Sequence, residues 1–308
     1  MKKAVVTGAN GFVGAAICKE LAAQNIEVIA IVRNQSSDIN NICSLKGIQI
    51  VYCELKDYRQ LKEKITERNI DVFYHFAWDG TSGPKRGEHG VQIDNVRYTC
   101  DAVEACADIQ CKRFVFAASI MEYEVEKMMQ TSAAPRMNTL YCTAKLSADY
   151  MARTIASNLQ IEYVRGLISN IYGPGEVSAR LINTSIRKML CEEHCAFSDG
   201  KQMYDFIYIT DAAKAFLAIG KAGIANQTYY IGSQSPRPLK EFLIEMKNQI
   251  APNQRLGLGE IKFDGVSLSY KEFDKFALER DTGFIPEISF AEGIKKTAEW
   301  IKNNSDCV

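Results

Sequence analysis

Tyr141 and Lys145 stand four positions apart in the segment LYCTAKLS, which contains neither proline nor glycine. On a helix that spacing puts a phenol and an ammonium on one face, about one turn apart and aimed at the same point. Taken alone, such a pair reads as a solvated helix face. A second constellation lies near the N-terminus, in VTGANGFVG. There Gly8, Gly11 and Gly14 recur at spacing three between a β-branched run and a helical pattern, with Asn10, Phe12 and Val13 among them. A loop lacking Cβ atoms can turn tightly and approach a pyrophosphate, whose charge the N–H groups and dipole of the following helix terminus bind. Dinucleotide binding is the expected function of this loop. An acid ending the next strand would hold the ribose hydroxyls of NAD, yet that strand ends IAIVRNQ, with Val32 and Arg33. Valine cannot hydrogen-bond a hydroxyl, and a guanidinium fork suits a 2′-phosphate, so NADP is expected in preference to NAD. A third group, Cys191, His194 and Cys195 in CEEHC, has metal-ligand chemistry but no second cluster to complete a tetrahedron. A helix end with buried thiols is expected there, and no metal.

Positioning these residues requires an ordered scaffold, and the first half of the chain predicts one. Strands are expected at KAVVT, EVIAIV, IQIVYC, DVFYHFA, RFVFAAS and EYVRGLI, alternating with helical patterns near 12–24, 57–67, 88–108 and 140–158. This alternation predicts an α/β fold, a doubly wound parallel sheet of the Rossmann type. After NIYGPGE, a Gly-Pro break at 173–175, the alternation stops. The expected division is a dinucleotide-binding domain over 1–172, with part of 205–232 returning to it, and a smaller C-terminal α+β lobe over 173–308 that binds substrate. In such folds ligands occupy the crevice outside the carboxyl ends of the strands.

Composition narrows the partners. The 308 residues are 47% apolar and 24% charged, enough to bury a substantial core. With 37 basic and 37 acidic residues the chain has no net charge, and nothing in that balance favours nucleic acid or an anionic membrane. The ten cysteines are scattered without disulfide-framework spacing, and no apolar run approaches a membrane span. MKK is followed by a glycine-broken strand rather than a signal-peptide core, so a cytoplasmic protein is expected.

The glycine loop, FYHFA, Asn95, the strand end FAAS at Ser119, the Tyr141/Lys145 pair, NIYGPG and QMYDFIYITD stand in a distinctive order. In that order and spacing the chain resembles the extended short-chain dehydrogenase/reductase family, the sugar-nucleotide epimerases, reductases and dehydratases, over nearly its whole length. The resemblance implies that Tyr141 exchanges a proton with a sugar hydroxyl during hydride transfer. A phenol is a poor base near its usual pKa of ~10, and a neighbouring ammonium would favour its ionised form. It further implies that Lys145 holds the nicotinamide ribose and that Ser119 orients the substrate oxygen. Glu54 and Leu55 would lie near the adenine, with Phe76 and Ala77 also against the coenzyme. Asn95 would tie helix to sheet, and Asn170 would meet the substrate phosphates. The chain also departs from the family. Tyr204 occupies the position where many members carry an arginine for the substrate diphosphate, leaving Arg180 or Arg187 to substitute. Ile120 and Met121 occupy the places of the dehydratase Asp-Glu pair, and Glu122 comes one residue late on what reads as a strand-exit loop. Dehydration is thereby disfavoured. Reduction of a 4-keto nucleotide sugar is expected first, on the strength of Arg33, with C4 epimerisation as the alternative. A regulatory NADP-binding protein without chemistry would have no need of the Ser/Tyr/Lys set. A homodimer through the helices near 88–108 and 140–158 is expected by the same resemblance.

Overall fold

The computed structural model describes residues 1–131 and 134–304. The chain opens with β1 (Lys3–Thr7), α1 (Phe12–Ala23), β2 (Glu27–Val32), β3 (Ile48–Tyr52), a 3-10 helix over 55–60, α2 (Leu61–Lys64) and β4 (Val72–His75). A second 3-10 turn over 84–87 precedes α3 (His89–Asp108), β5 (Arg113–Ser119), α4 (Glu122–Thr131), α5 (Met137–Asn158), β6 (Glu162–Ile168) and β7 (Asn170–Tyr172). Then follow α6 (Leu181–Leu190), β8 (Cys195–Phe197), β9 (Met203–Tyr204), β10 (Phe206–Tyr208), α7 (Ile209–Ala222) and β11 (Thr228–Ile231). The chain finishes with β12 (Arg237–Pro238), α8 (Leu239–Ile250), β13 (Leu256–Leu258), α9 (Ala277–Thr282) and α10 (Phe290–Asn303).

Seven parallel strands form the central sheet in the order β11-β6-β5-β4-β1-β2-β3. Its strands are apolar on both faces because both faces are covered. In β1, Ala4 and Val6 join the core beneath α1 and α7, while Val5 joins the opposite core beneath α3 and α5. The order reverses between β1 and β4, and at that switch point the strand ends part to leave a crevice. Thr7 links the two strands there. Its hydroxyl lies 3.0 Å from His75 Nδ1 and accepts from the backbone N–H groups of Phe76 and Ala77, each at 3.2 Å.

The second lobe is built from α6, α8 and α10 with three two-stranded ladders, β7/β10, β9/β12 and β8/β13. Aromatic rings fill its core: Phe206 meets Tyr172, Tyr204, Phe242 and Phe290 with centroids 5.0–6.2 Å apart.

Two local expectations change. The helix read over 57–67 is a 3-10 helix followed by only one turn of α2. The presumed strand-exit loop after Ser119 is instead the start of α4, because its acids find tertiary partners. Glu122 Oε1 accepts the Ser119 N–H at 2.8 Å and its other oxygen pairs with Arg165, while Glu124 pairs with Arg136 at 3.3 Å. Arg165 also meets Asp149 at 2.7 Å, and Asp149 accepts from the Tyr163 hydroxyl at 2.7 Å, closing a buried ion network beneath α5.

Candidate active site

A cleft of about 450 Å³ opens at the carboxyl ends of the strands, between the sheet and the second lobe. Ser119 from the end of β5, Tyr141 and Lys145 from α5, Asn170 from β7, Arg180 before α6 and Tyr204 from β9 all line it, together with Val13 and Phe76. The fold thus brings together residues far apart in sequence. Tyr141 is 7% exposed, and burial pushes its phenol above the ordinary tyrosine value; the charges of Arg86 and Arg180 oppose that rise, Glu122 adds to it, and a hydrogen bond with Ser119 opposes it.

Lys145 is arranged differently from the sequence expectation of an ammonium acting directly on the phenol. Its Nζ donates to the Ala117 carbonyl at 3.1 Å and lies 3.8 Å from the centre of the Trp78 ring. Burial lowers its pKa to about 7, against the raising influence of Glu122 and Asp149. The cation placed on the phenol is Arg86, whose guanidinium carbon stands 3.7 Å above the centre of the Tyr141 ring. Trp78 completes the group edge-on to Tyr141, 6.0 Å between centroids. Sequence reasoning missed Trp78 and Arg86. They belong to a Gly/Pro-rich segment that reads as a plain turn, and only the tertiary fold lays it against α5.

The glycine loop fits a dinucleotide. Gly8 has a φ of +63°, and a Cβ on Gly14 would stand 2.1 Å from the Gly8 carbonyl oxygen, so the turn admits no side chain there. Helix α1 is N-capped by Gly11 with no side-chain cap and no acid in its first turn, leaving its N–H groups for an external anion. The side chain of Asn10 donates to the Asp38 carbonyl at 2.9 Å and so pins the neighbouring loop. Arg33 is exposed at the end of β2, in a separate shallow depression lined also by Asn34, Ser36, Glu54, Lys56 and Lys64. Glu54 pairs with Lys56 at 2.8 Å, and Leu55 and Ala77 pack against the core beneath α3 and α5.

On the opposite wall, Asn170 donates to the Asp205 carbonyl at 3.0 Å. Arg180 pairs loosely with Glu176 at 3.6 Å and is nearly half exposed, whereas Arg187 lies behind the wall, 3.3 Å from the Asn183 side-chain oxygen. Tyr204 stacks on Phe206. Asn95 bonds both backbone groups of Asp79, at 2.9 and 2.8 Å, and ties α3 to the segment after β4. In CEEHC, Cys195 is buried in β8 and His194 pairs with Glu260 at 2.6 Å. No helix among the described residues is long and apolar enough to cross a membrane.

Residues 4–232 match the model of the NAD dependent epimerase/dehydratase family. The chain is 27% identical over 311 residues to a Methanocaldococcus jannaschii protein provisionally named UDP-glucose 4-epimerase, covering 98% of this chain and 99% of that one. It is 24% identical over 322 residues to human dTDP-D-glucose 4,6-dehydratase, covering 98% and 91%. In structure it is similar to the UDP-glucose 4-epimerase of Thermotoga maritima solved with UDP-glucose, with a TM-score of 0.81 at 18% identity over 98% of this chain and 99% of that one. With a family match across most of its length and the Ser/Tyr/Lys set gathered in one cleft, the chain belongs to the NAD dependent epimerase/dehydratase family, enzymes of the extended short-chain dehydrogenase/reductase class.

Proposed function

We propose that this protein inverts a sugar hydroxyl at C4 of a nucleotide sugar, with Tyr141 as the proton-transferring group. The observation that carries this reading is the placement of Tyr141 and Ser119 in one cleft where the positions needed for elimination hold Ile120 and Met121. Glu122, the nearest carboxylate in sequence, is buried and committed to Arg165 and the Ser119 N–H. A centre with one phenol and no added acid-base pair suits reversible oxidation at a single carbon better than loss of water.

When bound, the nicotinamide coenzyme would supply the acceptor and donor of the hydride. Tyr141, in its phenolate form, accepts the C4 hydroxyl proton, and its phenol returns that proton once the keto sugar has presented its other face. Ser119 orients the C4 oxygen. Lys145, whose Nζ donates to the Ala117 carbonyl, would hold the nicotinamide ribose. Gly8, Gly11, Phe12, Val13, Gly14, Phe76 and Ala77 bound the pyrophosphate and nicotinamide side, and Glu54 and Leu55 the adenine. Asn170, Tyr204 and Arg180 face the sugar nucleotide, with Arg180 the cation available to its diphosphate.

Reduction of a 4-keto sugar is the second reading, favoured by Arg33. Its exposed guanidinium shares a depression with Lys56 and Lys64, a setting that suits the 2′-phosphate of NADP, the coenzyme that a reductase exchanges each turn. The two separate in one assay. Purified protein incubated with UDP- and dTDP-sugars should interconvert C4 epimers without net change at the nicotinamide absorbance band. Consumption of NADPH by a 4-keto-6-deoxy nucleotide sugar, with no epimer formed, selects reduction instead. Tyr141→Phe should lower kcat by about 10²–10⁴-fold in either case; undiminished turnover removes the phenol from the mechanism. The exposed Ile93, Tyr150 and Met151 on α3 and α5 support a homodimer through these helices, which sedimentation of Met151→Arg against the parent protein tests.

A further inference from the structure

Arg86 and Trp78 come from one segment, 76–88, that leaves the switch point after β4 and folds back over α5. The segment is held firmly for a loop. The buried side chain of Gln92 accepts from the Trp78 indole N–H at 3.1 Å and donates to the carbonyls of Lys85 and Gly80 at 3.1 and 3.3 Å. Asn95 bonds both backbone groups of Asp79, and Asp79 pairs with Lys85 at 3.0 Å. Arg86 itself donates from Nη1 to the Thr81 carbonyl at 2.6 Å, which fixes the plane of its guanidinium above the Tyr141 ring. Two buried amides of α3 therefore hold a cation against the phenol whose ionisation the chemistry requires.

We propose that Arg86 is a positioning residue of the centre, supplying the permanent positive charge that stabilises the Tyr141 phenolate. The inference rests on the reading of Tyr141 as the proton-transferring group. A guanidinium stays charged at any pH the enzyme meets. Lys145 is directed instead at the Ala117 carbonyl and the Trp78 ring. A cation stacked on an aromatic face is attracted to the neutral ring and more strongly to the anion, so the contact favours the ionised form. The other groups facing Tyr141 are Lys145 on its own helix, Arg180 before α6, Glu122 at the start of α4 and the Ser119 hydroxyl at the end of β5. Of the two arginines, Arg86 is the one stacked on the ring, and Arg180 is divided between solvent and Glu176.

The test replaces Tyr141 with 3,5-difluorotyrosine, whose more acidic phenol titrates where the protein is folded, and follows its fluorine resonance against pH. Arg86→Gln should raise the titration midpoint by about one unit, and Arg86→Lys, which keeps a charge, should raise it by less than half as much. A midpoint for Arg86→Gln within about 0.2 unit of the parent overturns the proposal, as does an equal rise in the lysine variant. The titration needs no substrate. A protein that shows the shift but converts no nucleotide sugar sinks the functional reading and spares the role of Arg86; an active epimerase without the shift does the reverse.

Discussion

At the scale of single residues, the centre depends on how burial and charge divide between three side chains. Lys145 is the clearest case, because burial holds its pKa at about 7 while an unfolded lysine titrates near 10.4. Between those values the unfolded chain binds more protons than the folded one, so this group makes stability rise as pH rises from about 7 towards 10. Glu122 and Asp149 temper the effect and Arg86 adds to it, and a Lys145→Met variant removes the titrating group. Urea unfolding of both proteins should show the parent gaining on the variant across that window; a constant difference would mean that the ammonium stays charged in the fold. Arg33 makes a separate prediction. If it meets a 2′-phosphate, Arg33→Ala should weaken NADPH binding about tenfold, or ~1.4 kcal/mol, and leave NADH unchanged by calorimetry. That Tyr141 and Lys145 share one helix face was readable from residue type and spacing. The direction in which Lys145 points was not, since spacing gives a shared helix face and only Trp78 and the Ala117 carbonyl decide where Nζ rests.

The glycine turn and the ion network beneath α5 act at the scale of elements. Gly14→Ala sets a Cβ against the Gly8 carbonyl, so α1 must shift from β1. Overpacking of this kind costs about 1–3 kcal/mol, and loss of dinucleotide affinity should accompany the fall in thermal stability. Arg165→Met leaves Glu122 and Asp149 buried without their cation and should destabilise by about 3–5 kcal/mol in urea unfolding. A variant as stable as the parent would show that this network contributes no stability. Helix α4 illustrates why its existence was hard to read. EYEVEKMMQT has few apolar positions and looks like a solvated loop, yet Arg165, distant in sequence, and Arg136, just past the helix, neutralise its first-turn acids.

For the whole molecule, the decisive feature is that the sheet is completed by residues from beyond the Gly-Pro break. Strand β11 pairs with β6, and α7 packs on α1 and, with Phe216, covers the sheet face containing Val164. A chain ending at Tyr172 would expose that face and leave β6 as an open edge. Such a truncation is expected to lack cooperative thermal unfolding and to be cleaved rapidly by protease, whereas the full chain resists; independent folding of residues 1–172 would contradict this dependence.

The strands and the coenzyme loop were determined by sequence alone, because strand alternation and glycine spacing are local properties. RFVFAAS forms β5 over its full length, since a run apolar on both sides has no stable place except inside a covered parallel sheet. The company Tyr141 keeps was decided only by the tertiary structure. Arg86 and Trp78 reach it through a loop whose course depends on Gln92 and Asn95, and no spacing in the chain encodes a contact made by folding one turn back across another helix.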